Sequence, residues 1–146
     1  LRFIHKQLFI HKRFNSEKKK MTGDEIQKFA FEIASRLPKT ELDYPFGEDV
    51  SVYKVMDKMF LLSSSLQGNK IINLKVQPEH GEMLRDTYPS IRTGYHMNKR
   101  HWITVYAGDQ ITPELIEDLV QSSYELVVDK LTKAQKQVLE IHRQIK

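Results

Sequence analysis

Apolar residues recur at three- and four-residue intervals in several parts of the chain, which is the spacing of amphipathic helices. The first such stretch predicts a helix over residues 23–37, opened by the capping-box pattern of residues 22–25 and ended by Pro38. A second stretch, residues 112–131, has a threonine cap and a proline at the first helical position. Thr132 caps a last apolar stretch, which forms either a separate helix or a kinked continuation of the helix before it.

Other segments alternate apolar and polar residues, as β-strands with one buried face do. Strands are predicted over residues 50–56, 59–64, 70–76 and 102–106. Asp57-Lys58 is expected to form the tight turn between the first two of them. The third strand alternates most clearly. One of its faces is expected to carry Ile72, Leu74 and Val76, and the other Ile71, Asn73 and Lys75.

The remaining segments connect these elements. Pro78 at a first helical position predicts a short helix that ends before Pro89, and residues 89–94 are expected to form a loop. Residues 38–49 are expected to be an extended, turn-rich connection in which Phe46 fills a gap in the core. The order α-β-β-β-α-β-α-α, with a meander of strands, predicts an α+β fold: an antiparallel sheet of about four or more strands backed by helices.

Composition adds a division of the chain into two parts. A length of 146 residues suits one domain, and the absence of cysteine excludes disulfides and thiolate metal sites and fits a cytoplasmic location. No apolar run approaches the roughly 18 residues of a membrane span, so no membrane partner is expected. The net charge is +4, yet residues 1–20 carry seven Lys and Arg against one Glu, which leaves residues 21–146 with a net charge of −2.

The two parts are therefore a basic N-terminal extension, residues 1–20, and a single domain, residues 21–146. Because a capped helix begins directly behind Met21, that methionine is the favoured natural start, and the extension then consists of upstream residues. The alternatives are a flexible basic arm that contacts nucleic acid or membrane, and a transit-like peptide.

The 22 residues between Asp86 and Asp109 contain no acidic side chain, although they are rich in cations, histidines and aromatic rings. Such a mixture is typical of nucleic-acid contact, since cations bind phosphates and aromatic planes stack on bases or sugars. The predicted contact residues are Arg92, His96, Asn98, Lys99 and Arg100, with Lys54 and Lys75 on neighbouring strands as weaker candidates. His96 and Asn98 either contact a base edge or hold the loop. The alternative is a solvated loop in which Tyr95 and Trp102 anchor the core.

Catalysis and metal binding have weaker support. His96 and His101 are five residues apart without a third ligand nearby in sequence, so neither a metal site nor a cofactor is expected. Residues 63–65 are a serine run without the glycines of a nucleophile elbow, and the glycines of the chain form no phosphate-binding loop. An acid–base pair of His96 with a carboxylate distant in sequence stays open as an alternative. The protein is expected not to be an enzyme.

Residues 94–102, with the sequence GYHMNKRHW, resemble the MmcQ/YjbR family. Further matches follow in the family's order and cover about residues 22–132: VYKV at 52–55, KMF at 58–60, LKV at 74–76, LR at 84–85, YP at 88–89 and SYELVV at 123–128. The chain departs from the family in having Thr93-Gly94 where Pro-Gly is usual, and in lacking a glycine in the turn at residues 56–58.

The resemblance implies a CyaY-like fold and a DNA-binding protein with a double-wing arrangement. It also implies that Tyr95, His101 and Trp102 belong to the family's signature segment. We therefore expect a non-enzymatic DNA-binding protein that mainly contacts the phosphate backbone. The alternative is a small-molecule or protein-binding module that uses the same segment as a pocket wall. A third hypothesis, an iron-linked role by analogy with the fold, is disfavoured by the lack of an acidic cluster on the first helix. The oligomeric state is left open.

Overall fold

The computed structural model describes residues 20–145, so all of the basic extension except Lys20 lies outside the described part of the chain. In chain order the elements are α1 (Gly23–Arg36), β1 (Thr40–Asp43), β2 (Ser51–Val55), β3 (Lys58–Leu66), β4 (Asn69–Lys75), α2 (Pro78–Thr87), β5 (Ile91–Thr93), β6 (Trp102–Val105), α3 (Pro113–Asp129) and α4 (Lys133–Ile145).

One six-stranded sheet, in the order β1-β2-β3-β4-β6-β5, organises these elements. Every neighbouring pair of strands is antiparallel. The four helices all contribute to the same apolar core as one face of the sheet, through residues such as Ile26, Leu84, Leu119 and Leu139. The predicted α+β fold, an antiparallel sheet backed by helices, is confirmed.

Three of the helices, α1, α3 and α4, begin where the sequence predicts because a threonine side chain accepts a hydrogen bond from one of their first amides. Thr22 and Glu25 form both hydrogen bonds of a capping box, at 2.8 and 3.1 Å. The hydroxyl of Thr112 accepts from the amide of Leu115, and Thr132 exchanges a similar pair of bonds with Gln135. The last helix is therefore a separate element. No helix within residues 20–145 has the length and apolarity that crossing a membrane requires.

The two strands that the sequence pattern did not predict, β1 and β5, are the edges of the sheet. They have only four and three residues, and most of their side chains are exposed, so neither shows a clear apolar alternation. Phe46, predicted to fill the core, is 61% exposed. It lies in a turn closed by a hydrogen bond from the amide of Gly47 to the carbonyl of Tyr44, outside the sheet.

The β2–β3 turn lies one residue earlier than predicted. Met56 and Asp57 are its central residues, both with positive φ (48° and 68°), and Lys58 already belongs to β3. Two positive φ angles are the geometry of a type I′ hairpin turn, which Asn or Gly usually occupies. Because Met56 is not typical of such a turn, the sequence did not reveal that the turn includes this residue.

The second face of the sheet is also partly covered. Ile72, Leu74 and Val76, predicted to share one face of β4, all belong to the main core. On the opposite face Trp102, Val52 and Leu62 form a smaller cluster, against which Met97 packs. This smaller cluster lies beneath the segment that the sequence marks as the candidate site.

Candidate nucleic-acid interface

The candidate site is the hairpin of β5 and β6, whose connecting loop is residues 94–101. Backbone hydrogen bonds fix both ends of the loop: the amide of Gly94 donates to the carbonyl of Trp102 at 2.9 Å, and the carbonyl of His101 accepts from the amide of Val76 at 2.8 Å. At Gly94 a Cβ atom would lie 2.7 Å from the Cβ of Trp102. Glycine is required there because the two backbones approach so closely.

Asn98 holds the tip of this loop together. Its Oδ1 accepts from the amides of Arg100 and His101 at 3.0 and 3.3 Å. Its backbone carbonyl accepts from the amide of Trp102 at 3.0 Å. Asparagine is suited to such a turn since its side chain can replace a backbone acceptor. Of the two roles predicted for Asn98, the structure shows the one of holding the loop.

The buried hydroxyl of Thr104 links the hairpin to the centre of the sheet. It accepts from Nδ2 of Asn73 at 2.7 Å and from the amide of Tyr95 at 3.2 Å, and it donates to the carbonyl of Thr93 at 3.1 Å. Thr104 and Asn73 are only 1% and 5% exposed. Sequence reasoning missed this network. The sequence signals this network only in that Asn73 of β4 and Thr104 of β6 are each a polar residue between two apolar ones.

The aromatic residues of the segment divide into a buried and an exposed group. Trp102 is 8% exposed and packs in the smaller cluster, as expected of a core strand. Tyr95 is 48% exposed, so it does not anchor the core. Its ring lies 4.0 Å from that of His96, whose backbone has a positive φ of 58°. His101 is exposed as well.

Three cations of the hairpin are exposed: Arg92 on the edge strand, and Lys99 and Arg100 in the loop. The guanidinium carbon of Arg92 lies 5.0 Å from the centre of the Tyr106 ring, a cation–π contact that orients the side chain. Among residues 20–145, none of these three cations forms an ion pair. Their charges are therefore available to an anionic ligand.

The two weaker candidates have acidic neighbours. Nζ of Lys54 lies 2.9 Å from a carboxylate oxygen of Asp43 on β1, and this contact lowers the pKa of that carboxyl. Lys75 is half-buried and is paired across the sheet with Trp102. It lines a cleft whose other walls include the acidic residues Asp118, Glu125 and Asp129 of α3. Lys54 and Lys75 therefore differ from the exposed cations of the hairpin in having acidic side chains as neighbours.

Three clefts in the described part of the chain have volumes of about 540, 410 and 330 Å³, and residues outside the 94–101 loop build their walls. Within the second, burial raises the pKa of the Asp118 carboxyl, which the nearby His80 partly counteracts. Across residues 20–145, no group of three or more His, Asp or Glu side chains is arranged to hold a metal ion.

Comparison with known proteins assigns the family. The YjbR family model matches residues 35–126, which is more than half of the chain and includes the whole hairpin. The protein YbdF of Escherichia coli O157:H7 is 45% identical over 113 residues, covering 77% of this chain and 93% of its own. The protein YjbR of Escherichia coli K12 is 33% identical over 86 residues, covering 59% of this chain and 73% of its own. Both are described as uncharacterized proteins.

Solved structures agree with this assignment. The Deinococcus radiodurans protein DR2400 superposes with a TM-score of 0.70 at 36% identity, over 83% of this chain and 89% of that one. A Pseudomonas syringae protein superposes with a TM-score of 0.58 at 32% identity, over 68% of this chain and 96% of that one. The predicted resemblance is confirmed, and the chain belongs to the YjbR family.

Proposed function

We propose that this protein binds DNA through the exposed cations of the β5–β6 hairpin, as a non-enzymatic protein without a cofactor. The observation that carries the proposal is the presence of Arg92, Lys99 and Arg100 on one hairpin, exposed and without an ion pair among the described residues. The segment around them contains no acid over 22 residues, in a domain that is otherwise slightly acidic. Local positive charge of this kind attracts the phosphate backbone.

The rigidity of the hairpin supports the same proposal. Asn98 closes the loop tip, and the Thr104 hydroxyl ties the loop to the sheet, so the three cations project from a fixed scaffold. A loop whose backbone is already fixed loses less conformational entropy when its side chains contact a phosphate. His96 and Tyr95 are exposed beside them and offer an imidazole and an aromatic plane to a sugar or base.

Binding is proposed to depend on phosphate contacts rather than on base sequence. The cations lie on an edge strand and a loop, and not on a basic recognition helix of the kind that reads bases in the major groove. A cytoplasmic location belongs to the same proposal and agrees with a sequence free of cysteine.

The experiment measures the affinity of the full chain for a duplex at several salt concentrations. The Arg92→Gln, Lys99→Gln, Arg100→Gln triple variant should bind more weakly, and the slope of log K against log salt should become shallower by about 2.7, since each lost phosphate contact removes about 0.9. The basic extension stays the same in both proteins, so its charge does not affect the comparison.

A matched control removes three exposed lysines from the helices: Lys28→Gln, Lys133→Gln and Lys136→Gln. It changes the net charge equally but leaves the hairpin intact. Equal losses of affinity and slope in the two triple variants would show that only net charge matters, and would refute the proposal.

The alternative is a module that uses the hairpin as the wall of a pocket for a small molecule or a protein. It requires His96, Asn98 and Trp102 to surround an enclosed space. The first two are exposed, and Trp102 is packed in the smaller cluster with Met97 against it. These positions favour the DNA proposal. If the triple hairpin variant binds DNA as tightly as the unsubstituted chain, the result would favour the alternative.

A further inference from the structure

Helix α4 carries an apolar stripe that the fold does not use. Leu139 of this helix is buried in the main core. Val138, Ile141 and Ile145 are 45%, 58% and 80% exposed, and Ala134 is exposed as well. Helix α4 follows the part of the chain that the family model matches, residues 35–126. The stripe is therefore not explained by the common core of the family.

The spacing of the stripe indicates a helical partner. Ala134, Val138, Ile141 and Ile145 are separated by four, three and four residues, which is the spacing of the d and a positions of a heptad repeat. Such a seam packs its side chains between those of a facing helix. An apolar patch of this length on an exposed helix therefore fits another helix better than a flat surface.

The residues beside the stripe favour a second copy of the same chain. The e and g positions that flank the seam are occupied by uncharged residues: Gln135, Gln137, His142 and Gln144, with His142 counted as neutral. The charged residues Lys133, Lys136, Glu140 and Arg143 occupy the more distant c and f positions. Two identical seams can therefore approach without like-charge repulsion, which the e and g positions otherwise control.

The sizes of the stripe residues indicate the direction of pairing. They increase along the helix from Ala134 through Val138 to Ile141 and Ile145. An antiparallel two-fold pair places Ala134 against Ile145 and Val138 against Ile141, so that every layer combines a smaller and a larger side chain. The axis then passes close to the middle of the helix, and the two helices overlap over about 20 Å. A parallel pair would instead oppose two alanines at one end.

We propose that α4 is a self-association helix, through which two copies of the chain pair antiparallel about a two-fold axis. Each copy contributes one helix of 13 residues, whereas a stable interface involves about 20–30 residues on each side. The dimer is therefore reversible and forms in a concentration-dependent way. A helix that lies on a membrane usually carries lysine or arginine beside its apolar face, whereas glutamine and histidine flank this one.

Sedimentation velocity of the full chain tests this, at concentrations from about 10 µM to about 1 mM. The unsubstituted chain should show a growing dimer fraction. Val138→Glu and Ile141→Lys should each raise the dissociation constant about tenfold or more, because each places a charge in the seam. Lys136→Glu, on the opposite side of the helix, is the control and should leave association unchanged.

Mixing the Val138→Glu and Ile141→Lys chains tests the direction of pairing. In an antiparallel pair position 138 of one copy faces position 141 of the other, so the mixture should regain dimer that neither variant forms alone. Circular dichroism verifies that both variants keep their helices. A monomeric unsubstituted chain at every concentration, a dimer insensitive to both substitutions, or a mixture without recovery overturns the proposal. Binding to anionic vesicles by a chain that stays monomeric would overturn it in favour of a membrane surface.

Discussion

The Thr104→Val substitution tests whether the candidate hairpin is held by the buried network at its base. Valine has nearly the shape of threonine, so the substitution removes a hydroxyl without opening a cavity. That hydroxyl serves three partners: Nδ2 of Asn73, the amide of Tyr95 and the carbonyl of Thr93, at 2.7, 3.2 and 3.1 Å. Thr104 is 1% exposed, so water cannot replace the lost hydroxyl as a hydrogen-bond partner without moving the loop.

The magnitude follows from the partners that are left behind. A net hydrogen bond contributes about 1 kcal/mol, and a buried polar group without a partner costs about 1–3 kcal/mol. Nδ2 of Asn73 keeps a long contact of 3.4 Å with the carbonyl of Ile103, which reduces its loss. The Tyr95 amide belongs to an exposed residue and regains water more readily. We therefore expect Thr104→Val to lower the free energy of unfolding by about 2–4 kcal/mol.

Urea unfolding measures this difference. Trp102 is the single tryptophan of the chain and is 8% exposed, so its fluorescence reports unfolding beside the substituted position. Thr93→Val is the matched control, since Thr93 lies on the same hairpin, is exposed, and contributes its backbone carbonyl to the network. When Asn73 is already replaced by leucine, Thr104→Val should lower the free energy of unfolding by less. The side-chain amide that would lose its partner is then already absent.

The reasoning fails if Thr104→Val changes stability by no more than Thr93→Val does, within about 0.5 kcal/mol. It also fails if the costs of Asn73→Leu and Thr104→Val simply add, because residues that share a buried hydrogen bond should be coupled.

Two further predictions concern the scaffold. Ser123, fully buried on α3, donates to the carbonyl of Phe60 at 2.6 Å and accepts from the amide of Lys75 at 2.9 Å. Ser123→Ala should therefore lower the free energy of unfolding, measured with urea, by about 2–3 kcal/mol. A decrease of less than about 0.5 kcal/mol would show that these two hydrogen bonds do not stabilise the fold. Burial raises the pKa of Asp118, so its contribution to stability is present below the unfolded pKa of about 3.9 and is lost as pH rises through the folded value. Asp118→Asn should consequently raise Tm at pH 7 and lose that advantage near pH 3; an advantage independent of pH would show that ionisation is not the cause.

Sequence signals were sufficient for the helix starts that a threonine caps. Thr22, Thr112 and Thr132 each cap a helix through a residue three positions ahead, and all three helix starts follow from that spacing. Strands β1 and β5 depend instead on pairing with β2 and β6, and the residues of a strand do not themselves show which strand will pair with them. Their few, mostly exposed residues carry no alternation of their own.

The candidate site shows the same division between local and distant information. The acid-free run along the sequence coincides with a hairpin that has three exposed cations. The run gives no information about acidic side chains that are distant in sequence and that the fold brings close to a predicted cation. Asp43 reaches Lys54 across two neighbouring strands, and Lys75 lines the same cleft as the acids of α3. Exposed ion pairs are weak, yet they reduce the field that a phosphate encounters. The proposed DNA contacts are therefore best tested at Arg92, Lys99 and Arg100, because these cations are exposed and form no ion pair among residues 20–145.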